Sequence, residues 1–162
     1  MSEKRPIFVV DAMLGNLAKK LRILGYDSTY FSSIEDQKLV VIAKNEKRII
    51  LTKDEHLAKD AQKQGVVAIL IRGNDEFEQI AQINAKIKLG KFTIDTINAR
   101  CIACNGKLHP IEKYRLINKI PDGVLEREKK FWMCDGCKKI YWEGTHFEKL
   151  QEFANQLNER LR

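Results

Sequence analysis

Four cysteines are the residues of this chain whose spacing predicts chemistry most directly. They form two pairs, Cys101-Ile-Ala-Cys104 and Cys134-Asp-Gly-Cys137, and the chain has no other cysteine. A two-residue gap lets both thiolates of a pair face one ion, and two such pairs complete a tetrahedral S₄ site. We therefore expect Cys101, Cys104, Cys134 and Cys137 to bind a structural zinc ion. Four thiolates leave no open position for a catalytic zinc.

Two other interpretations of the cysteines remain open at this stage. An iron–sulfur cluster takes the same ligands, and four free structural cysteines require no metal at all. The segment between Cys104 and Cys134 is also longer than the usual spacer of a four-cysteine zinc site. The length predicts an inserted hairpin or loop, with a turn at Pro121-Asp122-Gly123.

Three aspartates form a second candidate site. Asp11 directly follows the apolar run Ile7–Val10, Asp54 follows the run Arg48–Thr52, and Asp36 begins a helical pattern. The carboxyl ends of parallel strands share one edge of a sheet, where ligands bind in α/β folds. Carboxylates gathered there repel one another unless a hard cation such as Mg²⁺ or Mn²⁺ neutralises them. The alternative is that each aspartate caps a helix, a role that suits Asp36 and Asp54 in particular.

The elements that must position these side chains alternate along the first ninety residues. Strand patterns at 7–10, 28–31, 48–52 and 66–71 alternate with helical patterns at about 14–24, 36–46, 54–64 and from 74 onward. Strict alternation of this kind predicts a parallel sheet covered by helices. The strands are continuous apolar runs, as expected when both faces of a sheet are buried. Residues 88–100 have the composition of a connector, and the last segment shows helical periodicity.

The charge distribution predicts a polyanionic partner. The net charge is +7, and the cysteine segment 99–146 holds ten basic against six acidic side chains. A solvated lysine-rich surface is the alternative explanation. No apolar run is long enough to span a membrane and the N-terminus has no signal-peptide core, so we expect a cytoplasmic protein without membrane contact. The sequence predicts three parts: residues 1–98, residues 99–146 and a closing helix at 147–162 that packs on the body.

Taken in order, several motifs resemble a known family. These are Asp11-Ala-Met-Leu-Gly-Asn-Leu-Ala, Leu21-Arg22-Ile-Leu-Gly25-Tyr26-Asp27, Leu51-Thr52-Lys53-Asp54, Cys101-x-x-Cys104-Asn-Gly-Lys-Leu, Cys134-x-x-Cys137 and Tyr141-Trp142-Glu-Gly-Thr-His146. Together they resemble the PIN-like ribonucleases with a C-terminal zinc ribbon, the Mut-seven C-terminal RNase domain family. The resemblance covers about residues 7–150. It implies a PIN-like α/β nuclease domain at 1–98, a zinc ribbon at 99–146 and RNA as the partner.

The resemblance also implies an activity and a site. Asp11, Asp36 and Asp54 fall on the family's acidic positions, where they would bind Mg²⁺ or Mn²⁺ and serve as catalytic residues. We therefore expect a hydrolase, a metal-dependent endoribonuclease that cleaves RNA phosphodiester bonds with an activated water. The basic ribbon would bind the RNA backbone. The main alternative is a non-catalytic RNA-binding protein on a PIN-like fold. A further alternative is a protein-interaction module that uses Tyr141 and Trp142, although these two aromatic residues suit packing between ribbon and closing helix better.

Overall fold

The computed structural model describes residues 4–161. Its strands and helices follow the alternation that the sequence predicts, and then continue into a second, antiparallel sheet and a long last helix. The strands are β1 (Phe8–Val10), β2 (Ser28–Tyr30), β3 (Ile49–Thr52), β4 (Ala68–Leu70), β5 (Leu108–Pro110), β6 (Phe131–Cys134) and β7 (Ile140–Trp142). The helices are α1 (Gly15–Ile23), α2 (Asp36–Glu46), α3 (Glu55–Lys63), α4 (Glu76–Lys86), α5 (Asp122–Arg127) and α6 (Thr145–Arg160).

The first four strands form one parallel sheet in the order β2-β1-β3-β4. The two central strands, β1 and β3, are the most apolar segments, and Phe8, Val9 and Val10 are all completely buried. Such strands need a helical layer on each face. Helices α1 and α4 cover one face, and α2 and α3 cover the other. The predicted α/β class is therefore confirmed, together with the second sheet and the C-terminal helix.

Helix α6 belongs to the core of the parallel sheet. Its residues Leu150, Phe153 and Leu157 are buried in the same apolar cluster as α1 and α4. The ring centroids of Phe153 and Phe77 lie 4.5 Å apart. The Asn158 amide also pairs with the backbone of the connector: Nδ2 donates to the carbonyl oxygen of Phe92 at 2.7 Å, and the Phe92 N–H donates to Oδ1 at 2.8 Å. Helix α6 therefore packs in the same helical layer as α1 and α4.

The second sheet is an antiparallel ribbon with strand order β5-β6-β7. Its own core is small and gathers around Leu116, Leu125 and Phe131. The predicted turn at Pro121-Asp122-Gly123 is instead the start of α5, with the Val124 and Leu125 N–H groups donating to the Pro121 carbonyl. A helical turn here buries Leu125 against Phe131, which a reverse turn at the same place would expose.

The boundaries of the three predicted parts, 1–98, 99–146 and 147–162, stay a prediction, and their limits at residues 1–3 and 162 lie outside the described residues. The shared core of α1, α4 and α6 shows that the last part is not separate in packing from the first. Within the described chain, no helix has the length and apolar character needed to cross a bilayer.

Candidate functional site

The four cysteines converge at one end of the ribbon, where their sulfur atoms all lie within 4.8 Å of one another. The Sγ atoms of Cys101 and Cys137 are 3.6 Å apart, and those of Cys104 and Cys134 are 3.3 Å apart. A tetrahedral ion with bonds of about 2.3 Å to sulfur places its ligands about 3.8 Å apart. All four cysteines are free, since these separations far exceed a disulfide bond. The cluster can therefore bind a metal ion such as zinc.

The two cysteine pairs adopt the same local geometry. In each, an N–H after the second cysteine bonds the carbonyl of the first, from Asn105 to Cys101 at 2.8 Å and from Lys138 to Cys134 at 3.1 Å. Asn105 and Lys138 have the same left-handed backbone, with φ of 70° and 67°. Both turns therefore direct their thiolates to a common centre.

A glycine keeps space open beside the sulfurs. A Cβ atom on Gly106 would lie 2.6 Å from the Cys134 Sγ and 3.2 Å from the Cys104 Sγ. These distances are shorter than van der Waals contact, so any side chain here would displace a ligand. The glycine in the Asn105-Gly106 dipeptide is thus required by the cluster itself.

Hydrogen bonds around Cys101 favour its thiolate. Burial raises the pKa of Cys101, but bonds from the Tyr141 hydroxyl and from the N–H groups of Cys104 and Ala103 outweigh this and lower the pKa to about 7. The Tyr141 hydroxyl lies 3.0 Å from the Cys101 Sγ and accepts a bond from the Ile102 N–H at 3.2 Å. Burial and the neighbouring thiolate in turn raise the pKa of Tyr141. A thiolate is the form that binds metal.

The first cysteine turn is bonded to the edge of the parallel sheet. The Asn105 Oδ1 accepts a bond from the Ser28 N–H at 3.0 Å, and its Nδ2 donates to the Asp27 carboxylate at 2.7 Å. Asp27 also forms a bidentate ion pair with Arg48, whose Nη1 is 2.7 Å from Oδ1. Burial raises the pKa of Asp27, but its bonds to Arg48 and Asn105 outweigh this and lower it. Asp27 therefore connects the cysteine cluster to β2 and β3.

The acidic candidates lie at the carboxyl edge of the parallel sheet, as the sequence predicts. Asp11 follows β1, and its Oδ1 accepts the Ala12 N–H at 2.8 Å at the start of a single 3₁₀ turn. Its Oδ2 accepts a bond from the Thr52 hydroxyl at 2.7 Å. Thr52 is completely buried at the end of β3, and its oxygen also accepts the Asp54 N–H at 3.0 Å. One hydroxyl thus fixes both aspartates relative to each other.

Asp54 and Asp36 differ in how they meet their helices. Asp54 is the N-cap of α3, with Oδ1 accepting the N–H groups of His56 and Leu57. Asp36 is the first residue of α2, after the N-cap Glu35, and forms no capping bond. Capping therefore accounts for Asp54 and part of Asp11, but leaves Asp36 without a structural role of that kind.

Electrostatics links the three acids. Desolvation first, and then the negative charges of Asp54 and Asp11, raise the pKa of Asp36 above its ordinary value of 3.8. The charge of Asp60 adds to this increase, and His56, 3.4 Å from Asp60, opposes it. The sheet edge therefore concentrates negative charge, which is the condition that attracts a cation.

The acids are spaced more widely than the cysteines. Among residues 4–161, only the cysteine cluster has three or more potential ligand atoms all within 4.8 Å. Mg²⁺ keeps several waters and needs only one or two carboxylates directly, so a wider set of oxygen ligands suits it. The donor chemistry of Asp11, Asp36 and Asp54 fits a hard divalent cation.

A polar cavity of about 350 Å³ lies between the start of α1 and the start of α4. Asn16, Lys53, Asn74 and Glu76 are among its lining residues. Sequence reasoning missed Glu76 and Thr52. Thr52 resembles any β-branched strand residue, and Glu76 any acid in a first helical turn. Only the folded structure brings Glu76 to the polar cavity and Thr52 to Asp11.

The fold and this site define a two-sheet α/β protein with a cysteine-rich ribbon. The family model described as Mut7-C RNAse domain matches residues 6–154, so the chain belongs to the Mut7-C RNAse domain family. The suspected family is thereby confirmed. No curated protein and no solved structure matches the chain significantly.

Proposed function

We propose that this protein is a divalent-metal-dependent endoribonuclease whose catalytic residues are Asp11, Asp36 and Asp54. The family supports a ribonuclease-related role. The observation that carries the proposal further is the joint positioning of Asp11 and Asp54 by the Thr52 hydroxyl, close enough to Asp36 that their charges add to desolvation in raising its pKa. Capping explains the position of Asp54 but not that of Asp36, which forms no capping bond.

Groups of the protein itself would orient the acids and bind the substrate. Thr52 holds the Asp11 carboxylate, and the N–H groups that begin α3 hold Asp54, so both present oxygens in a fixed orientation. Lys53, beside the polar cavity, is placed to bind a phosphate of the RNA backbone. Mg²⁺ or Mn²⁺ between the acids would supply charge stabilisation and water activation. Hydrolysis forms a bond from the water oxygen to phosphorus and breaks the bond to the leaving ribose oxygen.

For the cysteine cluster we propose a structural zinc ion. The support is the sulfur geometry, the paired turns and the closed set of four thiolate ligands. Elemental analysis of protein purified without added metal tests this, with an expected content of about one zinc per chain. Iron in place of zinc would favour a cluster of the iron–sulfur type.

The decisive experiment for activity is incubation of purified protein with total RNA, with and without Mn²⁺, followed by mapping of new RNA ends. Cleavage should require Mn²⁺ or Mg²⁺ and should disappear in Asp11→Asn. Asp122→Asn is the matched control, because Asp122 also begins a helix but lies in the ribbon. Full cleavage by Asp11→Asn would refute the assigned site.

The alternative function is RNA binding without cleavage. It would show RNA affinity at low salt but no new ends with any divalent ion. The basic composition of residues 99–146 supports RNA binding in either case. A cytoplasmic location stays a prediction.

A further inference from the structure

Two adjoining cavities on the ribbon form a surface that the cleavage site does not use. The first, here called the basic groove, has a volume of about 480 Å³. Its cations are Lys113, Arg115, Lys129 and Lys130, and all four are exposed. None of the four pairs with a carboxylate among the residues that the structure describes. Cations free of ion pairs in one groove are suited to a chain of phosphates.

The second cavity, here called the aromatic cavity, lies between the ribbon, the connector and α6 and has a volume of about 320 Å³. That volume is at the lower end of the range of about 300–1,000 Å³ for ligand pockets. Its walls are mainly apolar and include four aromatic side chains, Trp132, Tyr141, Trp142 and Phe147. Lys139 also lines it, with Nζ 5.7 Å from the centroid of the Tyr141 ring. Flat apolar walls with a cation are the features that bind a nucleobase.

The two cavities adjoin each other, because Trp132 and Thr96 line both of them. A phosphate in one and a neighbouring base in the other would therefore belong to the same short strand. Trp132 is only 8 % exposed, yet it belongs to none of the three apolar cores of the described chain. Its cross-strand partner on β7 is Tyr141, and paired residues share one face of a sheet. The Trp132 side chain thus forms a wall that the cationic groove and the apolar cavity share.

We infer that this surface is a subsite for single-stranded RNA, in which the basic groove binds phosphates and the aromatic cavity takes one unpaired nucleobase. The inference rests on the proposed function only in naming RNA as the ligand. An unpaired base is required because a base in a duplex is stacked and cannot enter a side cavity. The adjacent excess of cations distinguishes a nucleic acid strand from an apolar protein segment as the occupant.

The chain provides its own reporter for a test. Trp132 and Trp142 are its only two tryptophans, and both line the aromatic cavity. Tryptophan fluorescence of the full-length, zinc-loaded Asp11→Asn protein should therefore fall when a single-stranded oligouridylate decamer binds. A decamer with the same phosphates but with abasic riboses should bind about 5- to 100-fold more weakly, the range for loss of one stacked base, and leave the fluorescence unchanged.

Matched variants test the contributions of the two cavities to RNA binding separately. Lys129→Ser with Lys130→Ser should weaken both decamers equally and flatten the salt dependence, whereas Lys44→Ser with Lys63→Ser, on the sheet helices, should do neither. Trp132→Leu should remove the preference for the decamer with bases, and Trp132→Phe should keep most of it. Thermal melts verify that each variant is folded.

The inference is overturned if the abasic decamer binds as tightly as oligouridylate, since that comparison needs no variant. It is also overturned if no oligonucleotide changes the tryptophan signal, which would leave the aromatic cavity to a protein partner. Both readouts are independent of cleavage. Intact Mn²⁺-dependent cleavage with no quenching would therefore refute this subsite and leave the nuclease proposal standing.

Discussion

Asp36 and Asp122 occupy the same position in two different helices, the first residue of α2 and the first residue of α5. Both are exposed, and neither is a capping residue. Desolvation and then the charges of Asp54 and Asp11 raise the pKa of Asp36. The pair therefore separates the effect of a shared acidic site from the effect of a charge at a helix start.

Asp36→Asn should stabilise the protein in buffer without Mg²⁺ or Mn²⁺. Because the folded pKa lies above 3.8, the folded state binds the proton more tightly than the unfolded chain, and ionisation disfavours folding as pH rises. The gain in melting temperature should be absent at or below about pH 4 and grow toward pH 7. Asp122→Asn, measured alongside as the control, should keep full cleavage. Equal pH profiles for the two variants would contradict a shared site.

The Thr52 hydroxyl forms hydrogen bonds with both Asp11 and Asp54. Thr52→Val keeps the shape but leaves the Asp11 Oδ2 and the Asp54 N–H without their partner. We expect a loss of about 1–3 kcal/mol in the free energy of unfolding, measured in urea, and reduced cleavage. Thr52→Ser should restore most of both. Wild-type cleavage by the valine variant would show that the hydroxyl does not position Asp11.

The aspartates were predictable from their places at strand ends, because parallel strands bring their carboxyl ends together. Thr52 was not, because its contribution depends on the direction of one hydroxyl inside a buried strand. Asp27 illustrates the same limit. Its position in Gly25-Tyr26-Asp27 indicates a turn, whereas the structure shows an ion pair with Arg48 and a bond to Asn105.

At the scale of elements, the first cysteine turn depends on Gly106. Gly106→Ala should reduce the zinc content of purified protein, since the new methyl group would overlap the Cys134 sulfur. Gly123→Ala is the control, because its Cβ would have no neighbour within 4 Å. Elemental analysis of the two variants, prepared identically, gives the comparison. Equal zinc in both would mean that the turn can widen without losing its ligands.

Removal of the proposed zinc ion by a chelator should increase local opening at the edge of the parallel sheet. The Ser28 N–H bonds the Asn105 side chain, so its amide exchange should accelerate when the turn that holds Asn105 is released. The Ile50 N–H, bonded to the Val67 carbonyl at 2.9 Å within the sheet, should remain protected. Hydrogen exchange with and without chelator measures both. If both amides exchange faster, zinc supports the whole sheet and not only its edge.

At the scale of the whole molecule, the sequence predicted the parallel sheet well, and α2 begins and ends at the expected residues. Local periodicity is enough for that, because each strand and helix carries its own apolar face. The sequence predicted a closing helix that packs on the body, but the way in which α6 joins the first core was not predictable. It depends on contacts such as Phe77 with Phe153, whose partners lie far apart in the chain and leave no local pattern.

Because α6 shares a core with the parallel sheet, we expect the sheet and this helix to unfold in one transition. Leu157→Ala, at a completely buried position on α6, should cost about 2–5 kcal/mol in the free energy of unfolding. Asn155→Ala, on the exposed side of the same helix, should cost much less. Urea unfolding followed by far-ultraviolet circular dichroism measures both. A separate early transition for the leucine variant would show that α6 unfolds independently of the sheet.

The bonds between Asn158 and Phe92 join two segments that the ribosome makes at different times. The sheet strands emerge from the ribosome well before residues 145–160, yet the apolar cluster that α6 shares with α1 and α4 is incomplete until those residues arrive. Contacts across so many residues form late, because the chain between them must first be closed into a loop. A nascent chain that does not yet contain residues 145–160 would therefore present the apolar faces of α1 and α4 to solvent.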